Sequence, residues 1–203
     1  VIVPSLTFAA TANAVKYVGA TPVFADVKSV TDLTIDPEDI KRKITKRTKV
    51  VVPMHFGGFA ADMDTIMGIA KKHNLKVVED ACHAPGGYFM DSKSEKNFCG
   101  NGNYADIGVF SFHPVKHIAI GEGGMLTTNS KELYEKLMLL RTHGITKENM
   151  EENHGGWYYE MIELGFNYRL TDFQSALGIT QLAKNKKGVD RRNEIAETYT
   201  LSC

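Results

Sequence analysis

The residues with the clearest chemical potential lie in one glycine-rich segment, residues 106–129. A predicted strand leads to Ser111 and then into a turn that holds Lys116, and the run Gly121–Gly124 follows. Glycine lets the backbone pass close to another group because it has no Cβ. A lysine buried near a cofactor loses its proton easily and can form a Schiff base. The spacing therefore predicts a lysine with a chemical role.

An acidic side chain ends a second predicted strand. The apolar run at residues 76–80 finishes with Glu79 and Asp80, and Cys82 and His83 follow shortly afterwards. Open α/β sheets collect their ligands at the carboxyl ends of their strands. Asp80 is therefore expected at the edge of a sheet where a ligand would bind.

Three motifs together resemble the DegT/DnrJ/EryC1/StrS family, whose members are pyridoxal-phosphate-dependent nucleotide-sugar aminotransferases. The motifs are Ser111-x-x-x-x-Lys116 with its Gly-Glu-Gly-Gly tail, Glu79–Ala84 and Pro4–Phe8. The resemblance covers essentially the whole chain. It implies an α/β fold, the large domain of fold type I (aspartate-aminotransferase-like), with a mainly parallel mixed sheet and helices on both faces.

The resemblance implies a role for each matching residue at the cofactor, pyridoxal 5′-phosphate. Lys116 would hold the cofactor as a Schiff base and move the proton during amino transfer. Asp80 would face the pyridine nitrogen and keep it protonated, so that the ring acts as an electron sink. Ser111 would donate a hydrogen bond to the phosphate.

Other residues would surround the ring or reach a second active site. Phe8 would stack on one ring face, Cys82 would lie on the other, where the family usually has alanine, and His83 would lie near the ring hydroxyl. Asn167 and Arg169 match a segment that in the family crosses into the neighbouring subunit's site, near its cofactor phosphate. The resemblance therefore implies a homodimer with shared active sites.

Two further segments, Trp157–Met161 and Leu164–Gln174, resemble one branch of the family. That branch contains the C4 aminotransferases of pseudaminic acid synthesis, which act on a UDP-linked 4-keto-6-deoxy-N-acetylhexosamine. The implied reaction has two halves. An amino acid, expected to be L-glutamate, gives its amino group to the cofactor, which then aminates the sugar at C4.

The sequence leaves other functions open. The same scaffold hosts sugar dehydratases, but that branch replaces the lysine by histidine, so Lys116 argues against it. The chain could instead belong to an aminotransferase for another nucleotide keto-sugar. It could also be a sugar-nucleotide-binding remnant without catalysis.

Several site residues also fit ordinary structural roles. His83 could be a buried histidine with satisfied hydrogen bonds, and Phe8 could pack in the core. Asn167 could turn the chain before the next helix, and Arg169 could pair with Asp172.

No metal site is predicted. His113 and His117 are four residues apart, but this spacing aligns ligands only on a helix, and Pro114 makes a continuous helix there unfavourable. The three cysteines contain no CxxC pair of the kind that binds zinc. Their spacing is also unlike a disulfide framework, which favours a reducing, cytoplasmic compartment.

Charge argues against a nucleic-acid partner. The 24 basic residues balance the 24 acidic residues, whereas a polyanion binder needs a basic surplus. The basic stretch Lys41–Lys49 is expected to be the solvated face of one surface helix, because Ile40 and Ile44 lie four residues apart. No apolar run approaches the roughly 20 residues of a membrane span, so no membrane partner is expected.

Short β-branched runs alternate with helical patterns, which is typical of α/β architecture. The predicted strands are residues 1–3, 23–25, 50–54, 76–80, 107–112 and 125–128. The predicted helices are residues 7–18, a segment capped by Asp36, and residues 62–73, 130–141 and 171–186. The predicted surface loops are Asp91–Asn103 and Glu148–Gly156.

The chain is expected to be a fragment, because it begins within a predicted strand and stops within a helical pattern. Residues 1–195 are assigned to the cofactor-binding large domain. Residues 196–203 are assigned to the start of a connection to a C-terminal small domain. By resemblance, the helix N-terminus that cradles the cofactor phosphate is expected before Val1.

Overall fold

A computed structural model describes residues 1–147 and 155–202. Most of the loop predicted at 148–156, and Cys203, lie outside the described residues. The strands are β1 (Ile2–Pro4), β2 (Val23–Ala25), β3 (Val50–Val51), β4 (Lys76–Asp80), β5 (Tyr88–Met90), β6 (Lys96–Phe98), β7 (Ile107–Ser111), β8 (Gly124–Thr127), β9 (Ile145–Thr146) and β10 (Glu160–Met161). The helices are α1 (Ala10–Tyr17), α2 (Pro37–Lys43), α3 (Met63–His73), α4 (Lys131–Arg141) and α5 (Asp172–Ser202), with a 3-10 turn at Phe56–Gly58.

The central sheet has six strands in the order β2-β1-β3-β4-β7-β8. Its neighbours are parallel except for β7 and β8, which run antiparallel. β4 pairs with β7 in a register that sets Asp80 opposite Val109. The sheet is mixed and mainly parallel, which confirms the predicted fold class.

Helices cover both faces of this sheet, and two separate apolar clusters hold them there. On one face α2 and α3 pack over Val51 and Val77. On the other face Val15 of α1 packs with Val52 and Val78. The apolar runs of the strands are therefore buried from both sides, as in parallel sheets generally.

Three helices begin at the polar residues that the sequence identified. The side chains of Asp36, Asp62 and Ser130 each accept hydrogen bonds from backbone N–H groups in the first turn of the helix that follows. Such caps satisfy donors that the helix itself leaves unpaired. The starts of α2, α3 and α4 are thereby confirmed.

Two predicted helices differ in extent from the observed ones. α1 begins at Ala10 rather than at Thr7, whose hydroxyl donates to Met54 Sδ (3.1 Å) from the preceding loop. α5 continues for 31 residues to Ser202, so the predicted end at Lys186 is wrong. At 1.5 Å per residue, α5 is about 46 Å long.

Two further predictions are corrected. The stretch Asp91–Asn103 is not only a loop, because β6 lies inside it and pairs with β5 as an antiparallel hairpin. The stretch Lys41–Lys49 is not the face of one helix, since α2 ends at Lys43 and the chain turns through a hydrogen bond from the Thr48 N–H to the Thr45 carbonyl (3.0 Å).

Several large apolar side chains of α5 are exposed, including Phe173 (90%) and Leu201 (88%). Nevertheless, none of the helices in residues 1–147 and 155–202 has the length and apolar character needed to cross a membrane.

Candidate active site

The candidate site lies at the carboxyl edge of β4 and β7. The two strands are parallel neighbours, so Asp80 at the end of β4 and Ser111 at the end of β7 share that edge. Beyond Ser111 the chain turns through Lys116 and returns antiparallel as β8, pairing Ser111 with Gly124. The topology thus brings the residues of the two motifs to the same edge of the sheet.

The turn that carries Lys116 is anchored by apolar side chains. Phe112, Ile118 and Ile120 are buried and pack with the partly buried Leu170. Two backbone hydrogen bonds close the turn. The Ile120 N–H donates to the Phe112 carbonyl (3.0 Å), and the Lys116 N–H donates to the His113 carbonyl (2.9 Å). The lysine is therefore held by a fixed loop while its own side chain stays partly exposed.

Asp80 lies on the α1 face of the sheet with two hydrogen-bond donors. The Cys82 N–H donates to Oδ1 (3.0 Å), and the Thr11 hydroxyl in the first turn of α1 donates to Oδ2 (3.4 Å). These two hydrogen bonds fix the direction of the Asp80 carboxylate. Phe8, just before α1, is 74% exposed, so it is not a core residue.

His83 and Cys82 both respond to the charges of Lys116 and Asp80. Burial lowers the pKa of His83, the Lys116 charge lowers it further, and the Asp80 carboxylate opposes them. Burial raises the pKa of the Cys82 thiol, with added contributions from Asp80, while Lys116 opposes the rise. The raised pKa keeps the Cys82 thiol protonated.

The hydrogen bond from Gly57 determines which nitrogen of the neutral His83 ring carries the hydrogen. The Gly57 N–H donates to His83 Nδ1 (3.3 Å), so Nδ1 is an acceptor. In a neutral imidazole the other nitrogen then carries the hydrogen. Nε2–H of His83 is therefore available as a donor toward a ligand.

This donor set fits pyridoxal phosphate. A carboxylate, an amine and a hydroxyl lie at one sheet edge in Asp80, Lys116 and Ser111, as the pyridine nitrogen, the aldehyde carbon and the phosphate require. Phe8 offers an exposed aromatic side chain, its carbonyl accepts from the N–H of Thr11, whose hydroxyl donates to Asp80, and His83 offers an N–H donor. The same residues would hold that cofactor.

Asn167 and Arg169 are not part of this group. Both are exposed, and Asn167 forms an isolated antiparallel bridge with Thr142. Within the described ranges, no ion pair joins Arg169 to Asp172, so that alternative is wrong. Their role at a neighbouring subunit stays a prediction.

A buried group that the sequence analysis did not identify as a site lies behind Asp80. Donor atoms of His55, Glu79 and Cys99 all fall within 4.8 Å of one another. The Ala61 N–H donates to His55 Nδ1 (3.1 Å), so Nε2 carries the hydrogen and donates to Glu79 Oε1 (2.6 Å). A nitrogen that carries a hydrogen does not ligate a metal, so His55 and Glu79 form a hydrogen-bonded pair beside Cys99.

One signal could have found this pair. His55 follows the apolar run of β3 closely, just as Asp80 ends β4. A polar residue at the carboxyl end of a buried strand is a candidate for the sheet edge. Its pairing with Glu79 depends on β3 and β4 being neighbours, which the sequence does not state.

Comparison with known proteins identifies the family to which this chain belongs. Residues 1–202 match the sequence model of the DegT/DnrJ/EryC1/StrS aminotransferase family. The chain is 41% identical over 202 residues to the UDP-4-amino-4,6-dideoxy-N-acetyl-beta-L-altrosamine transaminase of Campylobacter jejuni, covering 98% of this chain and 50% of that protein. It is also 41% identical over 199 residues to the GDP-perosamine synthase of Caulobacter vibrioides, covering 98% of this chain and 49% of that protein.

A solved structure shows the same fold. The chain resembles Helicobacter pylori PseC, an aminotransferase involved in the biosynthesis of pseudoaminic acid, with a TM-score of 0.85 and 36% identity. The match covers 98% of this chain and 50% of PseC. The chain spans about half the length of the curated relatives it matches.

Proposed function

Because the chain belongs to the DegT/DnrJ/EryC1/StrS aminotransferase family, we propose that its protein is a pyridoxal-phosphate-dependent nucleotide-sugar aminotransferase. The observation that carries the proposal is the pairing of β4 with β7, which sets Asp80 and the turn that holds Lys116 at one edge of the sheet. Pyridoxal phosphate, when bound, supplies the electron sink that amino transfer needs.

The side chains of this chain divide the remaining tasks. Lys116 holds the cofactor through its amine and moves a proton between cofactor and substrate. Asp80 keeps a proton on the pyridine nitrogen, and the hydrogen bonds from Thr11 and Cys82 hold its carboxylate in place. Ser111 binds the phosphate, Phe8 stacks on the ring, and Nε2–H of His83 donates to the ring oxygen.

The proposed substrate is a UDP-linked 4-keto-6-deoxy-N-acetylhexosamine, aminated at C4 with L-glutamate as donor. The similarity to the Campylobacter jejuni transaminase and to PseC supports it. The equal identity to GDP-perosamine synthase keeps a GDP-linked keto-sugar as the second candidate.

We also propose a cytoplasmic homodimer. Asn167 and Arg169 are exposed on a segment that carries further exposed aromatic side chains, among them Tyr168 (70% exposed). Exposed apolar patches of this kind mark interaction surfaces. In the dimer this segment reaches the cofactor phosphate of the neighbouring subunit.

An amino-transfer assay on the full-length protein tests the substrate assignment. The protein, supplied with pyridoxal phosphate and L-glutamate, receives either the UDP-linked or a GDP-linked 4-keto sugar, and the amino sugar is detected by mass spectrometry. We expect product from the UDP-linked sugar and none from Lys116→Ala. Product from the GDP-linked sugar alone would favour the second candidate, and no product with either would contradict the aminotransferase assignment.

A further inference from the structure

A buried hydrogen-bonded pair lies directly behind Asp80, on the opposite face of β4. His55 is 0% exposed and Glu79 is 1% exposed, which makes them two of the most deeply buried side chains in the described part of the chain. Burying an acid costs free energy unless its hydrogen bonds compensate. Glu79 Oε2 has no hydrogen-bond partner among the described residues, so the pair is costly to keep.

The pair joins three separate segments of the chain. Glu79 Oε1 accepts from His55 Nε2 (2.6 Å) and from the Gly100 N–H after β6 (2.6 Å). The other ring nitrogen of His55 accepts from the Ala61 N–H (3.1 Å). The end of β4, the loop of residues 55–61 and the turn after β6 are thereby tied together.

One of these segments carries a residue of the candidate site, and another contacts one. Asp80 follows Glu79, and its carbonyl accepts from the His55 N–H (3.1 Å). The loop of residues 55–61 also contains Gly57, whose N–H donates to His83 Nδ1 (3.3 Å). A displacement of His55 would therefore move both the Asp80 backbone and the donor that orients His83.

We propose that His55 and Glu79 are positioning residues for the cofactor site. Glu79 fixes the end of β4 and thus the direction of the Asp80 carboxylate. Nδ1 of His55 fixes the loop of residues 55–61 and thus the tautomer and orientation of His83. This inference rests on the proposed function, because only a bound ring gives Asp80 and His83 something to align with.

Substitutions that keep the hydrogen bond of only one ring nitrogen of His55 can separate the link to Glu79 from the link to Ala61. In His55→Gln the amide nitrogen replaces Nε2 and keeps the bond to Glu79, while the acceptor for the Ala61 N–H is lost. In His55→Asn the amide oxygen replaces Nδ1 and keeps that acceptor, while the link to Glu79 is lost. Glu79→Ala removes both bonds to Oε1, and Glu79→Gln keeps an oxygen that can accept them.

Cys99→Ala is the matched control. Cys99 is buried within the same cluster, and burial together with the Glu79 charge raises the pKa of its thiol to about 12. It makes no hydrogen bond to either member of the pair. Its truncation therefore removes core packing and leaves the positioning network in place.

The test uses the full-length protein and two readouts that do not depend on turnover. These are the dissociation constant for pyridoxal phosphate and the pH titration of the visible absorbance of the bound cofactor, with denaturant unfolding of the cofactor-free form recorded alongside. We expect Glu79→Ala to weaken cofactor binding on the order of 10-fold and to shift the titration midpoint, as the loss of supporting hydrogen bonds does at other sites. Glu79→Gln should restore most of both.

The two His55 variants should each reproduce only part of these changes. His55→Gln should change the absorbance maximum through His83, and His55→Asn should resemble Glu79→Ala. If Glu79→Ala does not fold, these two variants decide the question by the same readouts. Cys99→Ala should lower stability alone.

The outcomes separate this inference from the function on which it rests. If the wild type binds cofactor and the His55 and Glu79 variants behave as Cys99→Ala does, the pair is only structural and the inference is wrong. If the wild type itself binds no pyridoxal phosphate, the proposed function fails, and the positioning role fails with it.

Discussion

The two faces of β4 use the same kind of side chain for opposite purposes. Glu79 is 1% exposed and fully enclosed, with two N–H donors on one oxygen. Asp80, the next residue, is only partly buried and shares its edge of the sheet with the partly exposed Lys116 and His83. One step along a strand turns a side chain to the other face of the sheet.

The difference shows how one strand end can serve both framework and chemistry. The face of β4 that carries Glu79, the closed face, ties the strand to its neighbouring loops. The face that carries Asp80, the open face, presents a carboxylate where ligands of α/β sheets bind. A carboxylate can be held in a productive direction only if its backbone is fixed. The closed face supplies that fixed backbone.

The largest expected effect comes from changing the open face alone. In Asp80→Asn the amide cannot keep a proton on a pyridine nitrogen, so we expect kcat of the full-length protein to fall on the order of 100- to 1000-fold. Steady-state kinetics of the amino transfer measure it. Glu79→Gln, the same chemical change one residue earlier, is the control and should keep kcat within about 10-fold of the wild type. Equal losses in both variants would remove the distinction between the faces.

A substitution on the closed face should instead affect stability. Gly100 has φ +75°, and a Cβ there would approach Phe110 Cε2 to 2.6 Å. Gly100→Ala should therefore lower the free energy of unfolding by about 3 kcal/mol, combining backbone strain and overpacking. Denaturant unfolding measures this.

Gly19→Ala is the matched comparison for the same backbone strain. Gly19 has φ +72° and no atom within 4 Å of an added Cβ, so we expect a loss of about 1 kcal/mol. If both alanines cost the same, the close packing around Gly100 contributes nothing.

The stability of the fold should depend on pH, to a smaller extent, through His83 and His117. Burial, with help from Lys116, lowers the pKa of His83 from 6.5, and burial, with help from Arg192, lowers that of His117. The unfolded chain then binds more protons below about pH 6.5, so stability is full above that value and is lost as the pH falls toward the lowered folded pKa. Both imidazoles are partly exposed, so the effect is modest.

Thermal melts between about pH 7.5 and about pH 5.5 measure that slope. His83→Gln combined with His117→Gln should make the melting temperature less dependent on pH than in the wild type. An unchanged slope would show that neither histidine is perturbed by folding.

The fold was predictable where local signals agree. The limits of β4 follow from an apolar run that ends in two acids, and the starts of α2, α3 and α4 follow from their capping residues. The end of α5 was not predictable, because Gly188, a residue type that commonly ends helices, lies inside the helix. β6 was missed because Lys96–Phe98 becomes a strand only by pairing with β5.

The site divides in the same way. Lys116, Asp80 and Ser111 stand in motifs that identify them, and the structure groups them at one edge. The donor on His83 and the His55–Glu79 pair could not be predicted, since both depend on contacts between segments more than 20 residues apart. Motifs reveal the chemistry, while long-range pairing decides what holds it in place.

The central claim is that Lys116 and Asp80 form a pyridoxal phosphate site. The most direct measurement is the visible spectrum of the full-length protein purified with pyridoxal phosphate, wild type against Lys116→Ala, before and after borohydride. We predict a band in the wild type that borohydride bleaches irreversibly and that is missing from the variant. Identical spectra from the two proteins would contradict the claim and would favour a sugar-nucleotide-binding module without catalysis.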